Sequence, residues 1–269
     1  TPTYKIKAQC PVCKNTEIEI YELLAKSQIV QYDPFMMPIF RGAGDYRSVD
    51  YPKWAVTICQ KCYFASPDKK DFNIWNRSRE EYNPSQLGNG VILQVLETMG
   101  ERKSIVEEFS VHGNPFTFPR STESAINSYR LALQRTQAEQ AVENSFSTFK
   151  AASYWLKIAL MQRQSDDNYE ESLQNARAAM REAYIRTDFP HSELEYQSTY
   201  VLSALELFFG EGKLCREYHA SLDRTKAEIK NEQIEGNLNS LDKWIDKCRR
   251  LWEDRERDGL WDLPKIKEQ

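Results

Sequence analysis

Residues 151–184 read AASYWLKIALMQRQSDDNYEESLQNARAAMREAY, and no other stretch says as much about the fold. Ala151, Tyr154, Trp155, Ile158 and Ala159 recur at steps of three and four, the period of one helix face. Beyond Asp166-Asp167, Leu173, Ala176, Ala179, Met180 and Tyr184 repeat the pattern. The spacing predicts one helix from about Ser145 to Gln164 and a second from about Tyr169 to Thr187. A connection this short makes the two antiparallel neighbours.

The pattern extends in both directions. Ser121-Thr122-Glu123-Ser124 offers a helix start, and Ala125, Tyr129, Ala132 and Leu133 follow at helical spacing. Pro190 stops the chain, and Ser192 begins a helix that runs to Gly210. A further helix starts near Lys213, and a last one carries Leu241, Trp244, Ile245, Cys248 and Leu251 before a charged tail from Glu253 to Arg257. Upstream, Ile92, Leu93, Val95 and Leu96 mark a helix ended by Gly100, followed by a break from His112 to Pro119. Small residues (Ala132, Ala151, Ala176, Ala179, Ala204) let backbones approach closely. The pairs Ala151 to Tyr184 and Ser192 to Thr225 match the roughly 34-residue length of tetratricopeptide hairpins, without a full consensus repeat. The expected fold is therefore mainly α, with tetratricopeptide-like antiparallel helical hairpins over residues 84–269. A plain helical bundle without a groove is the competing reading.

Residues 1–83 read differently, as a loop-rich, strand-containing region. Glu17-Ile18-Glu19-Ile20-Tyr21 and Trp54-Ala55-Val56-Thr57-Ile58 alternate with period two, the mark of short strands. Pro34 to Tyr51 cannot hold a long regular element and reads as an extended arm. Its Phe35, Met36, Met37, Phe40 and Tyr46 are candidate partner-binding residues, because aromatics and methionines on a mobile segment often bury in a partner. The same arm could equally pack on its own helices.

Composition excludes several classes. The net charge of −4 argues against a nucleic-acid binder that works by neutralising phosphates. No window approaches eighteen uncharged apolar residues, and even Tyr200 to Gly210 carries Glu206, so no membrane span is expected. The chain opens at Thr1 rather than Met, so the natural start is expected upstream, and an export signal there is compatible with this sequence.

The six cysteines carry the strongest local signal. Cys10 and Cys13, then Cys59 and Cys62, form two C-x2-C knuckles separated by 45 residues. Two such knuckles can close a tetrahedral four-sulfur zinc site, and four thiolates leave no open position for catalysis. Lys14 and Tyr63 stand where knuckles commonly have glycine for positive φ. That departure fits a second reading, in which the four sulfurs form disulfides and the cofactor is none rather than one structural zinc. Cys215 and Cys248 would face each other across a hairpin turning near Asn231, rather than Gly236, and are a disulfide candidate. Two buried free thiols are the alternative. Six paired cysteines would point to an oxidising compartment such as the periplasm.

Cys10-Pro11-Val12-Cys13, Cys59-Gln60-Lys61-Cys62-Tyr63-Phe64-Ala65 and Ala125-Ile126-Asn127-Ser128-Tyr129 together resemble a bacterial family of unknown function that joins a CxxC…CxxC ribbon to tetratricopeptide-like helices. The resemblance extends over roughly Lys5 to Gly210. One exported branch of that family, the spirochaete flagellar-coiling proteins, sheaths the periplasmic flagellar filament. The resemblance to that branch implies a structural protein in contact with filament and sheath subunits, supporting filament coiling and motility. A cytoplasmic zinc-ribbon adaptor whose helical groove takes a protein partner is the competing expectation.

No catalytic residue is expected. His112, His191 and His219 are the only histidines, and no HExxH, GxSxG or GxxxxGK[ST] motif occurs. A deep polar pocket gathering histidine with acidic groups would overturn the non-enzymatic reading.

Overall fold

A computed structural model describes residues 2–110, 114–142, 146–232 and 238–264. Strand β1 (Thr3–Gln9) pairs antiparallel with β2 (Ile18–Leu23) on one side and β7 (Asn73–Asn76) on the other. With β8 (Glu81–Asn83) this gives a four-stranded sheet of order β2-β1-β7-β8. Two hairpins stand beside it, β3 (Gln28–Tyr32) with β4 (Pro38–Gly42) and β5 (Thr57–Ile58) with β6 (Ala65–Ser66). The arm from Pro34 to Tyr51, expected to hold no long regular element, contains one five-residue strand. Trp54 and Ala55 lie in the one-turn helix α1 (Pro52–Ala55) rather than in a strand, because Pro52 presets φ for a first helical turn.

The protein is mainly helical. Helices α2 (Asn89–Glu97), α3 (Met99–Phe109), α4 (Thr122–Ala141), α5 (Ser147–Gln164), α6 (Glu170–Arg186), α7 (Ser192–Phe208), α8 (Gly212–Glu232) and α9 (Leu238–Glu253) follow in order. From α4 onward each helix packs against the next in antiparallel pairs, and α7 also meets α9. The Ser121 Oγ accepts from Ser124 N at 3.2 Å, the cap expected for α4. Gly100 lies inside the first turn of α3 instead of ending a helix. The break expected from His112 to Pro119 is non-helical over its described part, residues 114–119, whereas Asn231 lies within α8 and not at a hairpin turn; residues 111–113 and 233–237 are outside the described residues.

Three apolar clusters hold the chain together, and each joins strands to helices. Phe35, Met37 and Ile39 share one with α5, α6, α7, α8 and α9. Val56, Ile58 and Ala65 share another with α3, α4 and α5. Residues around the four N-terminal cysteines share the third with Val91 and Val95 of α2 and Ala138 of α4. The 83/84 boundary separates strands from long helices, yet every cluster crosses it.

Glu206, the charge within the apolar stretch Tyr200 to Gly210, is fully buried and accepts from Arg177 Nε at 3.0 Å and Arg181 Nη2 at 2.7 Å. Burial raises its carboxyl, but the two guanidinium bonds outweigh that and hold it below its ordinary value. On α8, Cys215 Sγ lies 3.4 Å from His219 Nε2. Burial pushes the Cys215 and Cys248 thiols up to about 12 and His219 down to about 4, so this trio is neutral at pH 7. A histidine depressed from its ordinary 6.5 contributes stability that is complete above that value and lost as pH falls toward 4. Allowing for partial exposure, we expect a loss of about 1 kcal/mol between pH 7 and pH 5 in urea unfolding. His219→Gln should flatten that slope, and an unchanged slope would show that another group governs it.

Candidate metal centre

Each cysteine knuckle sits at the tip of a hairpin. Cys10 and Cys13 join β1 to β2, whose last pair is Ala8 with Ile18, and Cys59 and Cys62 join β5 to β6. The two turns have the same wiring. Cys10 N donates to Asn15 O at 2.8 Å and Lys14 N to Cys10 O at 3.1 Å; Cys59 N donates to Phe64 O at 2.8 Å and Tyr63 N to Cys59 O at 2.9 Å. Lys14 and Tyr63 adopt φ of 61° and 58° despite their side chains. Left-handed backbone costs a residue other than glycine about 1–2 kcal/mol, a penalty the closed turns withstand. The missing glycines therefore do not prevent either knuckle from forming.

The turns bring four sulfurs to one point. Cys10 Sγ lies 3.6 Å from Cys62 Sγ, Cys13 Sγ lies 3.5 Å from Cys59 Sγ, and all four sulfurs fall within 4.8 Å of one another. Sulfurs around a tetrahedral zinc, with Zn–S of about 2.3 Å, stand roughly 3.8 Å apart. A disulfide needs about 2.05 Å. This cluster could hold a zinc ion. The donors fit it further: Cys10, Cys59 and Cys62 are buried, and Asn15 Nδ2 reaches Cys59 Sγ at 3.8 Å. With no cation to share, the crowded thiols cannot all ionise. Hydrogen bonds from Cys10 and Cys62 hold the Cys59 thiol down, while bonding within the cluster and burial raise Cys10 and Cys62. A divalent ion reverses that order and favours every thiolate.

One supporting residue has no signal in the sequence. Arg102 on α3 is buried, donates from Nε to Cys62 O at 3.3 Å and from Nη1 to Thr98 Oγ1 at 2.8 Å, and also reaches Val95 O. It pins the second knuckle to the α2–α3 corner. The polar composition of α3 hides both the helix and this role.

The other sequence candidates are placed apart from the cluster. Cys215 and Cys248 are buried free thiols on α8 and α9, close enough for Cys248 to feel the charge of Cys215. The arm residues do not form a surface. Phe35 and Met37 lie in the helical core, Phe35 stacked on Trp261 at 5.3 Å and edge-on to Phe208 at 5.7 Å. Met36 and Phe40 are half-buried, leaving only Tyr46 well exposed. The reason is Asp33, which accepts from Phe35 N at 3.0 Å, Met37 N at 2.8 Å and Arg163 Nη1 at 2.6 Å, folding the arm inward.

The largest cavity, of about 860 Å³, does gather His191 with Asp68, Asp71 and Glu139. Two of these acids are committed. Asp71 accepts from Arg135 Nη2 at 2.9 Å and from Ser66, and Glu139 accepts from Arg135 at 3.0 Å and Lys150 at 2.8 Å. The exposed His191 precedes α7, and among the described residues its ring pairs with none of the acids. Among the described residues no serine, threonine or cysteine lines the cavity, and its charged groups include no nucleophile bonded to a base.

Residues 3–254 match the family described as an uncharacterized protein conserved in bacteria (DUF2225). The chain belongs to that family. The description of DUF2225 names no function. Neither the curated proteins nor the solved structures gave a match. What the family match adds is that the four-cysteine cluster and the helical array belong to one inherited unit, since it runs from β1 to the start of the turn after α9.

Proposed function

We propose that this DUF2225 chain is a non-enzymatic protein-interaction protein, its N-terminal strands stapled by one structural zinc and its surfaces serving as contact faces. The observation that carries the reading is the convergence of two identical knuckles on one four-sulfur point at thiolate spacing. Four thiolates fill a tetrahedral zinc, so such a metal stabilises and does not react. Reduced cysteines and bound zinc fit the cytoplasmic adaptor reading. Metal analysis with a free-thiol count tests it: one zinc per chain and six titratable thiols are expected. Zinc-free protein with few free thiols would overturn it.

A second reading, a periplasmic flagellar-sheath component that shapes filament coiling, draws on a different observation. Ile29, Val30, Tyr32 and Tyr46 are exposed on and beside the β3–β4 hairpin, and Leu93, Leu96 and Met99 on α2 and α3. Lateral assembly needs several modest contact patches of this kind. Ile29→Lys with Tyr32→Lys should abolish partner or lateral assembly while shifting stability by no more than about 0.5 kcal/mol. Intact assembly in that double variant would remove the hairpin from any interface. A strain lacking the protein should have straightened filaments under the sheath reading, and normally coiled filaments would dispose of it. Deleting Asp33 to Asp50 would not test an interface, because it would empty the Phe35 and Met37 core sites.

A further inference from the structure

A second cavity, of about 290 Å³, opens between β2, the β5 strand and the segment leading into α4, and its wall contains a buried cation that has no counter-ion among the described residues. Arg120 is 4% exposed. Its Nε donates to Pro115 O at 2.7 Å, and its guanidinium lies 4.2 Å over the Phe118 ring. Nη1 is buried and has no hydrogen-bond partner. Among the described residues no carboxylate lies within ion-pairing distance, and the charged or ionisable groups that Arg120 feels are the hydroxyls of Tyr129 and Tyr21. The Tyr129 hydroxyl is itself buried without a partner.

A buried guanidinium left uncompensated is a costly arrangement, and native proteins pair such charges or place them where a ligand does so. Contrast Arg135 and Arg163, each buried and each bonded to a carboxylate at 2.6–3.0 Å. We propose that the Arg120 cavity binds a small organic monocarboxylate with an aromatic body. The guanidinium fork matches a carboxylate. Arg120 also directly precedes the N-cap of the 20-residue helix α4, whose positive end adds to the attraction. Tyr21, Phe116 and Phe118 supply flat apolar walls, while Thr57 and Gln60 add polar edges. Glu17, exposed at the rim, repels a polyvalent anion such as phosphate more than a single carboxylate, while Glu19 beside it is ion-paired with Lys5 at 2.6 Å. The volume suits a ligand of benzoate or phenylacetate size.

Titration calorimetry with benzoate and phenylacetate as probes tests this, with benzyl alcohol and inorganic phosphate alongside. Saturable binding of at least one carboxylate is expected. Benzyl alcohol and phosphate should each bind at least about tenfold more weakly, as loss of a charge-assisted pair or added repulsion requires. Arg120→Gln should weaken carboxylate binding by about tenfold or more. Should that variant fail to fold, Glu17→Gln, at an exposed position, should tighten binding by about twofold as rim repulsion is removed. No saturable carboxylate binding, equal binding of benzyl alcohol or phosphate, or indifference to either variant would overturn the proposal.

Discussion

A chelator able to strip thiolate-bound zinc is expected to collapse the ordered N-terminal half of this protein, and Cys59→Ser to do the same without a chelator. Cys10, Cys59 and Cys62 are themselves members of the apolar cluster that includes Ile18, Ile20, Phe64, Phe72, Val91 and Val95. The strands beside the second knuckle, β5 and β6, are only two residues each. The sulfur centre joins the two knuckles directly, Cys10 to Cys62 and Cys13 to Cys59, and both knuckles already bear a left-handed residue other than glycine. Structural zinc sites contribute about 10–16 kcal/mol in small peptides, comparable to the whole 5–15 kcal/mol of a typical domain. We therefore expect Cys59→Ser to bind less than one tenth of the zinc of the parent chain and to lower Tm by about 10 °C or more. Cys215→Ser and Cys248→Ser, on the other side of the fold, should keep their zinc. The check is metal content together with thermal unfolding followed by circular dichroism. Equal melting of zinc-loaded and zinc-stripped protein would refute a structural role for the cluster.

The parts of this molecule legible in its sequence are those governed by local periods. Helices α4 to α9 announce themselves through apolar residues at steps of three and four and through the Ser121 cap, because a helix buries one continuous stripe. The knuckles are legible because C-x2-C spacing is itself the geometry of the turn. Helix α3 is not legible: its sequence, MGERKSIVEEF, has too few apolar residues to mark a face, although it buries Val106 and Phe109 alongside Arg102. The β3–β4 hairpin escapes for a related reason, since most of β3 is exposed and shows no alternation between core and solvent. The fate of the arm is decided by Arg163 and Trp261, 130 and 226 residues beyond Asp33 and Phe35, and no window along the chain contains both sides of that contact.

That long-range contact supports the second large effect: Arg163→Met is expected to cost about 3–5 kcal/mol, the usual result of stranding one member of a buried ion pair. Arg163 joins three distant pieces of chain. Its Nη1 donates to Asp33 Oδ2, its Nη2 to the Trp261 carbonyl, and its guanidinium lies 5.6 Å over the rings of both Phe35 and Tyr169. Methionine replaces most of the stem volume but leaves the Asp33 carboxylate, wholly buried, without its cation. Asp33→Asn combined with Arg163→Met removes that orphan and should recover more than half of the loss, a coupling that a double-mutant cycle in urea reads directly. The pH dependence separates this account from a mere packing defect. Burial already raises the Asp33 carboxyl against the opposing pull of Arg163, and removing the arginine raises it further. A carboxyl whose folded value is raised favours the folded state at low pH, and that advantage is lost as pH rises through the folded value. The single variant should consequently be milder at pH 5 than at pH 8, where the stranded carboxylate bears its full charge. A cost that is the same at both values, and unrelieved by Asp33→Asn, would mean that Arg163 stabilises the protein through packing alone.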